Sequence, residues 1–151
     1  MMSIEEFKKN QTKKSRLLGL DLGSKRIGLS ICDDKQSIAT PYKTINRTNI
    51  EKLIKEIFVI IEDNNIGGII IGNPINMDGS VGRSSQSVKD VASNISKSVK
   101  LPICLWDERL STTGAFNLSG QLDVNVSKRL KNIDQNAAAF ILQGAIDYLN
   151  N

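Results

Sequence analysis

Two neighbouring runs near the start of the chain, LLGLDLG (17–23) and RIGLSIC (26–32), are apolar at successive positions rather than alternating ones. Unbroken apolarity over a short run predicts a strand covered on both faces. The short Ser24-Lys25 link between them is hairpin spacing. ATPYKTIN (39–46) extends the pattern as a third expected strand, with Pro41 near its start. The period then changes. Over 50–63, Ile50, Leu53, Ile54, Ile57 and Ile61 recur at helical spacing, Lys and Glu fill the other face, and Asn49 stands ready as the cap.

IGGIIIG (66–72) is again a buried strand, followed by the loop NPINMDGS. A helix is expected over 81–98, with Val88, Val91, Ala92, Ile95 and Val99 on one stripe. LPICLW (101–106) is the next buried strand. After DERLST, a short helix near 111–119 and a polar basic loop, SGQLDVNVSKRLKN, precede a last helix opening at Asp134. The order β-β-β-α-β-α-β-α-α predicts an antiparallel meander continued by parallel crossovers. That is an α/β fold with a five-stranded mixed sheet flanked by helices. Residues 1–15 lack this patterning and are expected as a flexible basic arm, with a single domain over 16–151.

Composition changes this picture in three places. No apolar run is long enough to span a membrane, and the N-terminus lacks the apolar stretch of a secretory signal, so a cytoplasmic protein is expected. Net charge is +4 and the isoelectric point near 9.1, compatible with a polyanionic partner. There is no histidine among the 151 residues. This removes Ser-His-Asp and Cys-His catalysis and histidine-containing zinc sites. Cys32 and Cys104 fall in apolar runs and read as buried, reduced thiols.

Chemistry must therefore rest on carboxylates, lysines, hydroxyls or an oxygen-ligated metal. Asp21 is the carboxylate hardest to explain structurally, because Asp is rarely buried without a partner. Lys25 or Arg26 is one candidate partner. Glu108 follows the LPICLW strand and Asp134 opens the last helix. The crossover rule brings the strands of Asp21 and Glu108 to one edge, with Asp134 nearby. Three clustered carboxylates repel unless a hard cation joins them, and Mg2+ suits such a set. Each acid has a plainer reading. Asp134 is a favourable N-cap, worth about 1 kcal/mol, and Glu108 is a surface partner for Arg109.

Four blocks sharpen the choice: GLDLGSKRIGLSICD (19–33), IIIGNPINMDGSVG (69–82), DERLST (107–112) and IDQNAAAFILQ (133–143). In order and spacing they resemble the signature blocks of the YqgF/RuvX family, over roughly residues 16–149. The resemblance implies an RNase H-like fold and a nuclease using Mg2+ or Mn2+, with Asp21, Glu108 and Asp134 as the catalytic, metal-holding acids. It also implies a nucleic-acid partner. An rRNA precursor, matured at the 5′ end of 16S rRNA, is preferred over a DNA Holliday junction. Asp107 shares the Glu108 block, but adjacent strand residues face opposite ways, which favours Glu108. Asn73 and Gln135 depart from the family pattern without removing an acid. Lys25, Arg26, Arg83, Arg109, Lys128 and Arg129 become candidate phosphate contacts. Trp106 ends an apolar strand and is expected in the core. A monomer or weak homodimer is expected. The rivals are an ATP-handling domain of the actin/hexokinase type and a catalytically silent RNA-binding subunit.

Overall fold

In the computed structural model, residues 2–11, 14–74, 82–107 and 126–151 are described, with side chains for all of these but 83–85 and 126–135. The strands are β1 (Arg16–Leu22), β2 (Arg26–Cys32), β3 (Ala39–Asn46), β4 (Ile66–Asn73) and β5 (Ile103–Asp107). The helices are α1 (Ile4–Asn10), α2 (Ile50–Asn64), α3 (Arg83–Ser98) and α4 (Val126–Leu149). The five strands form one sheet in the order β3-β2-β1-β4-β5. β1–β2 and β2–β3 are antiparallel, whereas β1–β4 and β4–β5 are parallel. This is the expected mixed sheet. The helix expected near 111–119 lies outside the described residues.

Strand alternation divides the core in two. Leu18, Leu20 and Leu22 of β1 pack with Leu53, Ile57 and Ile60 of α2 and Val88, Ala92 and Ile95 of α3. Leu17, Ile70, Cys104 and Trp106 face the other way, against Phe7 of α1 and Ile141, Leu142, Ala145 and Ile146 of α4. Burying each such Leu or Ile contributes about 1.5–3 kcal/mol. α2 begins as expected: Asn49 Oδ1 accepts from Lys52 N–H at 2.9 Å. It ends on Asn65 in the left-handed region, φ 53°, a conformation Asn tolerates at helix ends.

Two expectations are corrected. The N-terminal stretch expected as a flexible basic arm carries α1, started by Ser3 Oγ accepting from Glu6 N–H. Its Phe7 is fully buried and sits over Gly68, where an added Cβ would lie 2.7 Å from Phe7 Cζ. Met2 N–H donates to Ile103 O at 3.0 Å, and Tyr148 Oη donates to Glu5 Oε1 at 2.8 Å. One aromatic side chain offers more apolar area than the surrounding lysines oppose, because their charges stay in water.

The last helix is the second correction. It starts at Val126, not at Asp134, so Asp134 lies within the helix and is not its N-cap. No Gly or Pro stands between Val126 and Gln143 to stop it. The segment holding Lys128 and Arg129 is thus helix where a loop was expected.

α4 comes very close to the sheet. Ser30 Oγ, fully buried on β2, donates to Ala138 O at 2.7 Å. A Cβ on Gly19 of β1 would lie 2.8 Å from Leu142 Cβ and 3.1 Å from Ala138 O, and would overlap Ser30 Oγ. Gly19→Val should therefore force the helix outward and destabilise the protein by about 1–3 kcal/mol, the usual cost of overpacking. A fall in the urea midpoint at constant slope is the expected result. An unchanged midpoint would show that α4 does not bear on β1 here.

Candidate active site at the carboxyl edge of the sheet

The parallel strands β1, β4 and β5 all end at one edge. Asp21 stands there on the central strand, on the side of the sheet that faces α4, since it shares a face with Leu17 and Gly19. Its partner across β2 is Gly28. Continuing the pairing of Leu20 with Ile71 puts Gly72 of β4 on its other flank. In register, Asp21 thus has a glycine rather than a side chain beside it on each neighbouring strand. It is half-buried rather than enclosed. The strand ends at Leu22, so one side of the carboxylate meets solvent and its desolvation cost is below that of a fully enclosed charge.

α4 runs toward the same edge. Its C-terminal half is bonded at the opposite end of the sheet, where Gln143 Oε1 accepts from Ala39 N–H at 2.8 Å and Asn150 Nδ2 donates to Gln36 O at 2.8 Å. Its earlier residues therefore lead toward Asp21. Position 134 precedes Ala138 by one helical turn, about 6 Å along the axis. The Asp134 side chain is outside the described set. Glu108 and Arg109 lie outside the described residues altogether. Asp107 closes β5 in register with Asn73, on the face that Ile71 and Ile103 turn toward α2 and α3. It is therefore on the opposite face from Asp21. Asp21, Arg26, Asn73 and Asp107 all engage other groups. Among the described residues, no three metal-binding side chains come together.

The basic candidates divide similarly. Lys25 and Arg26 are exposed at the tight turn that follows β1. Gly23 is required in that turn, because a Cβ there would come 2.5 Å from Arg26 O. Arg83 opens α3 at the same end of the sheet, and Lys128 and Arg129 lie in the first turn of α4. These three side chains are outside the described set.

One residue escaped the sequence analysis. Arg47 follows β3 and reaches back over the edge. Its guanidinium donates to Gly23 O at 2.9 Å and to Ser87 Oγ of α3 at 3.4 Å. Its backbone N–H donates to Lys25 O at 2.9 Å. The only signal was a cation directly after a strand ending at this edge.

The thiols are excluded as nucleophiles. Cys32 Sγ accepts from Leu17 N–H at 3.1 Å. Burial pushes the Cys104 thiol up to about 12, with the nearby Glu5 carboxylate adding to the rise. Trp106 is 6% exposed and meets Tyr148 edge-on, ring centroids 6.1 Å apart. It is a core residue, not a stacking platform.

Asp21 thus stands half-buried at the carboxyl edge of an α/β sheet, with the last helix leading toward that edge. Comparison with known proteins gives the family and the fold. The family model described as "RuvX: Holliday junction resolvase" matches residues 15–148. The chain is 75% identical over 151 residues to a "Putative pre-16S rRNA nuclease" of Pelagibacter ubique (strain HTCC1062), covering 100% of both. It is 44% identical to the protein of the same name from Chelativorans sp. (strain BNC1), covering 99% of this chain and 93% of that one. Its fold is similar to that of T. thermophilus RuvC in complex with a Holliday junction substrate, with TM-score 0.55, 8% identity, and 89% and 95% of the two chains covered. The yeast mitochondrial Holliday junction resolvase Ydc2 gives TM-score 0.52 at 13% identity, with 97% and 84% covered. At such identities the likeness establishes the fold alone, which is RNase H-like.

The chain belongs to the RuvX family. With its nuclease-named relatives it is a nuclease, a hydrolase of nucleic acid.

Both thiols should resist iodoacetamide at pH 8 in the folded protein and react once urea unfolds it. Cys104 also gives stability a pH dependence. Its folded value lies above the ordinary 9.0, so that contribution is intact below pH 9 and is lost as pH rises toward 12. Rapid native-state alkylation, quantified by mass spectrometry, would contradict the buried-thiol assignment.

Proposed function

We propose that this nuclease is a divalent-cation-dependent endonuclease acting on structured nucleic acid. Its substrate is a ribosomal RNA precursor, trimmed toward the 5′ end of 16S rRNA in the cytoplasm. The observation that carries the reading is the setting of Asp21: half-buried at the end of the central strand, with glycines at both lateral neighbours. A carboxylate so placed, at the carboxyl edge of parallel strands, stands where α/β sheets bind ligands and is a donor that a hard cation accepts. The RNA assignment rests on the names of the relatives.

The donor set fits Mg2+ or Mn2+. Asp21, Glu108 and Asp134 are hard oxygen donors, and no histidine competes for the role. Position 134 is supported by the course of α4. Glu108 is preferred to Asp107 because Asp107 closes β5 on the face opposite Asp21. Asp21, Glu108 and Asp134 would hold the cation, which would supply neutralisation of phosphate charge and a more acidic water for hydrolysis. Lys25, Arg26, Arg83, Arg109, Lys128 and Arg129 supply phosphate contacts, which set affinity and its salt dependence. The chain acts as a monomer or weak homodimer.

The test is Asp21→Asn, which keeps the shape and removes the charge. With Mg2+ and a 5′-extended 16S precursor fragment, wild type should cleave and the variant should fall to background. The variant should keep its melting temperature and its affinity for the RNA. A four-way DNA junction serves as the second substrate, because the family description names it. Preferential cleavage of the junction would move the assignment to DNA. Cleavage surviving in Asp21→Asn, or in wild type with EDTA, would sink the cation mechanism.

A further inference from the structure

Arg47 makes contacts that a solvated surface arginine does not. Its guanidinium and its backbone N–H both bond the turn after β1, at Gly23 O and Lys25 O, while a second guanidinium nitrogen reaches Ser87 of α3. Gly23 N–H in turn donates to Asp21 O at 3.2 Å. A short chain of hydrogen bonds thus runs from Arg47 through Gly23 to the backbone of Asp21. Both side-chain acceptors of Arg47 are neutral, a carbonyl and a hydroxyl. Among the described residues its positive charge therefore has no carboxylate to balance it.

That charge is half-buried, where a counter-ion is worth more than in open water. It is also pre-positioned: the forked guanidinium has five N–H donors and spends two of them on the protein. The remaining donors suit a planar, bidentate contact with a phosphate. Lys25 and Arg26 stand on the turn that Arg47 holds. The β2–β3 side of the edge is thus basic, where the β1 and β5 ends are acidic.

We propose that Arg47 is a substrate-positioning residue of this nuclease. It takes a backbone phosphate of the nucleic acid on the β3 side of the one held at Asp21, and so fixes the direction in which the strand crosses the edge. This rests on the nucleic-acid reading given under Proposed function.

The test uses the Asp21→Asn protein, so that substrate is bound and not consumed. Affinity for a 5′-extended 16S precursor fragment is measured by fluorescence anisotropy across a salt series. Arg47→Gln should weaken binding and lower the slope of log K against log salt by about 0.7–0.9, the share of one phosphate contact. Arg47→Lys should keep the slope. Ser87→Ala should also keep it, because it loosens the clamp without removing charge. A wild-type slope in Arg47→Gln would overturn the proposal.

A second measurement needs no variant. Arg47 of the wild-type chain in EDTA should react with phenylglyoxal more slowly when the RNA is bound, as read by mass spectrometry of its peptide. An unchanged rate with bound RNA would likewise overturn the proposal. If the unmodified protein binds neither the RNA nor a four-way DNA junction at any salt, the nucleic-acid reading itself fails and takes this one with it.

Discussion

The carbonyl of Ala138 rests on β1 and β2 where β1 has no side chain and β2 offers a hydroxyl. Gly19 leaves the space, and Ser30 fills it with a hydrogen bond of 2.7 Å. The fully buried Ser30 hydroxyl left unpaired would cost about 1–3 kcal/mol, so this contact fixes the height and the rotation of α4 together. The apolar packing of Ile141, Leu142, Ala145 and Ile146 follows from that seating. So does the line along which the earlier part of α4 leads to the carboxyl edge.

The edge itself is built from small residues. Gly28 and Gly72 flank Asp21 in register, and Gly23 allows the tight turn beyond it. Glycine in a strand interior is usually destabilising. Here the loss is offset by the rigidity of a central strand hydrogen-bonded on both sides. Arg47 then ties the turn to α3, so the β1–β2 hairpin and the start of α3 are held as a unit. A stiff mount matters for phosphodiester chemistry, because misplacing a reacting group by an ångström is expensive in rate.

The opposite end of the sheet is knotted by polar contacts. Gln36 is fully buried with φ 55°. Its Nε2 donates to Gln11 Oε1 at 2.6 Å and Ser15 O at 2.9 Å, while its backbone carbonyl accepts from Asn150 Nδ2. Both chain ends are therefore bonded to one loop. Together with Phe7 over Gly68, this explains why a stretch that reads as a solvated tail packs as a helix. Its apolar anchors are Phe7, buried, and Met2 and Ile4, partly buried, too few positions to register as a period.

Periodicity by itself determined the strands, the cap at Asn49, the α2 and α3 stripes and the mixed order of the sheet, because buried faces must be apolar at period 2 or 3.6. The absence of histidine and the placing of Asp21 in an apolar strand pointed to carboxylate chemistry before any fold was known. Tertiary structure alone decided the rest. Asp134 reads as a helix cap locally but lies inside a helix that begins at Val126. Asp107 and Asp21 point to opposite faces because of sheet register. Arg47 reads as one more surface cation until the hairpin folds back beneath it. Each depends on which distant residues the chain brings together, and local sequence holds no record of that.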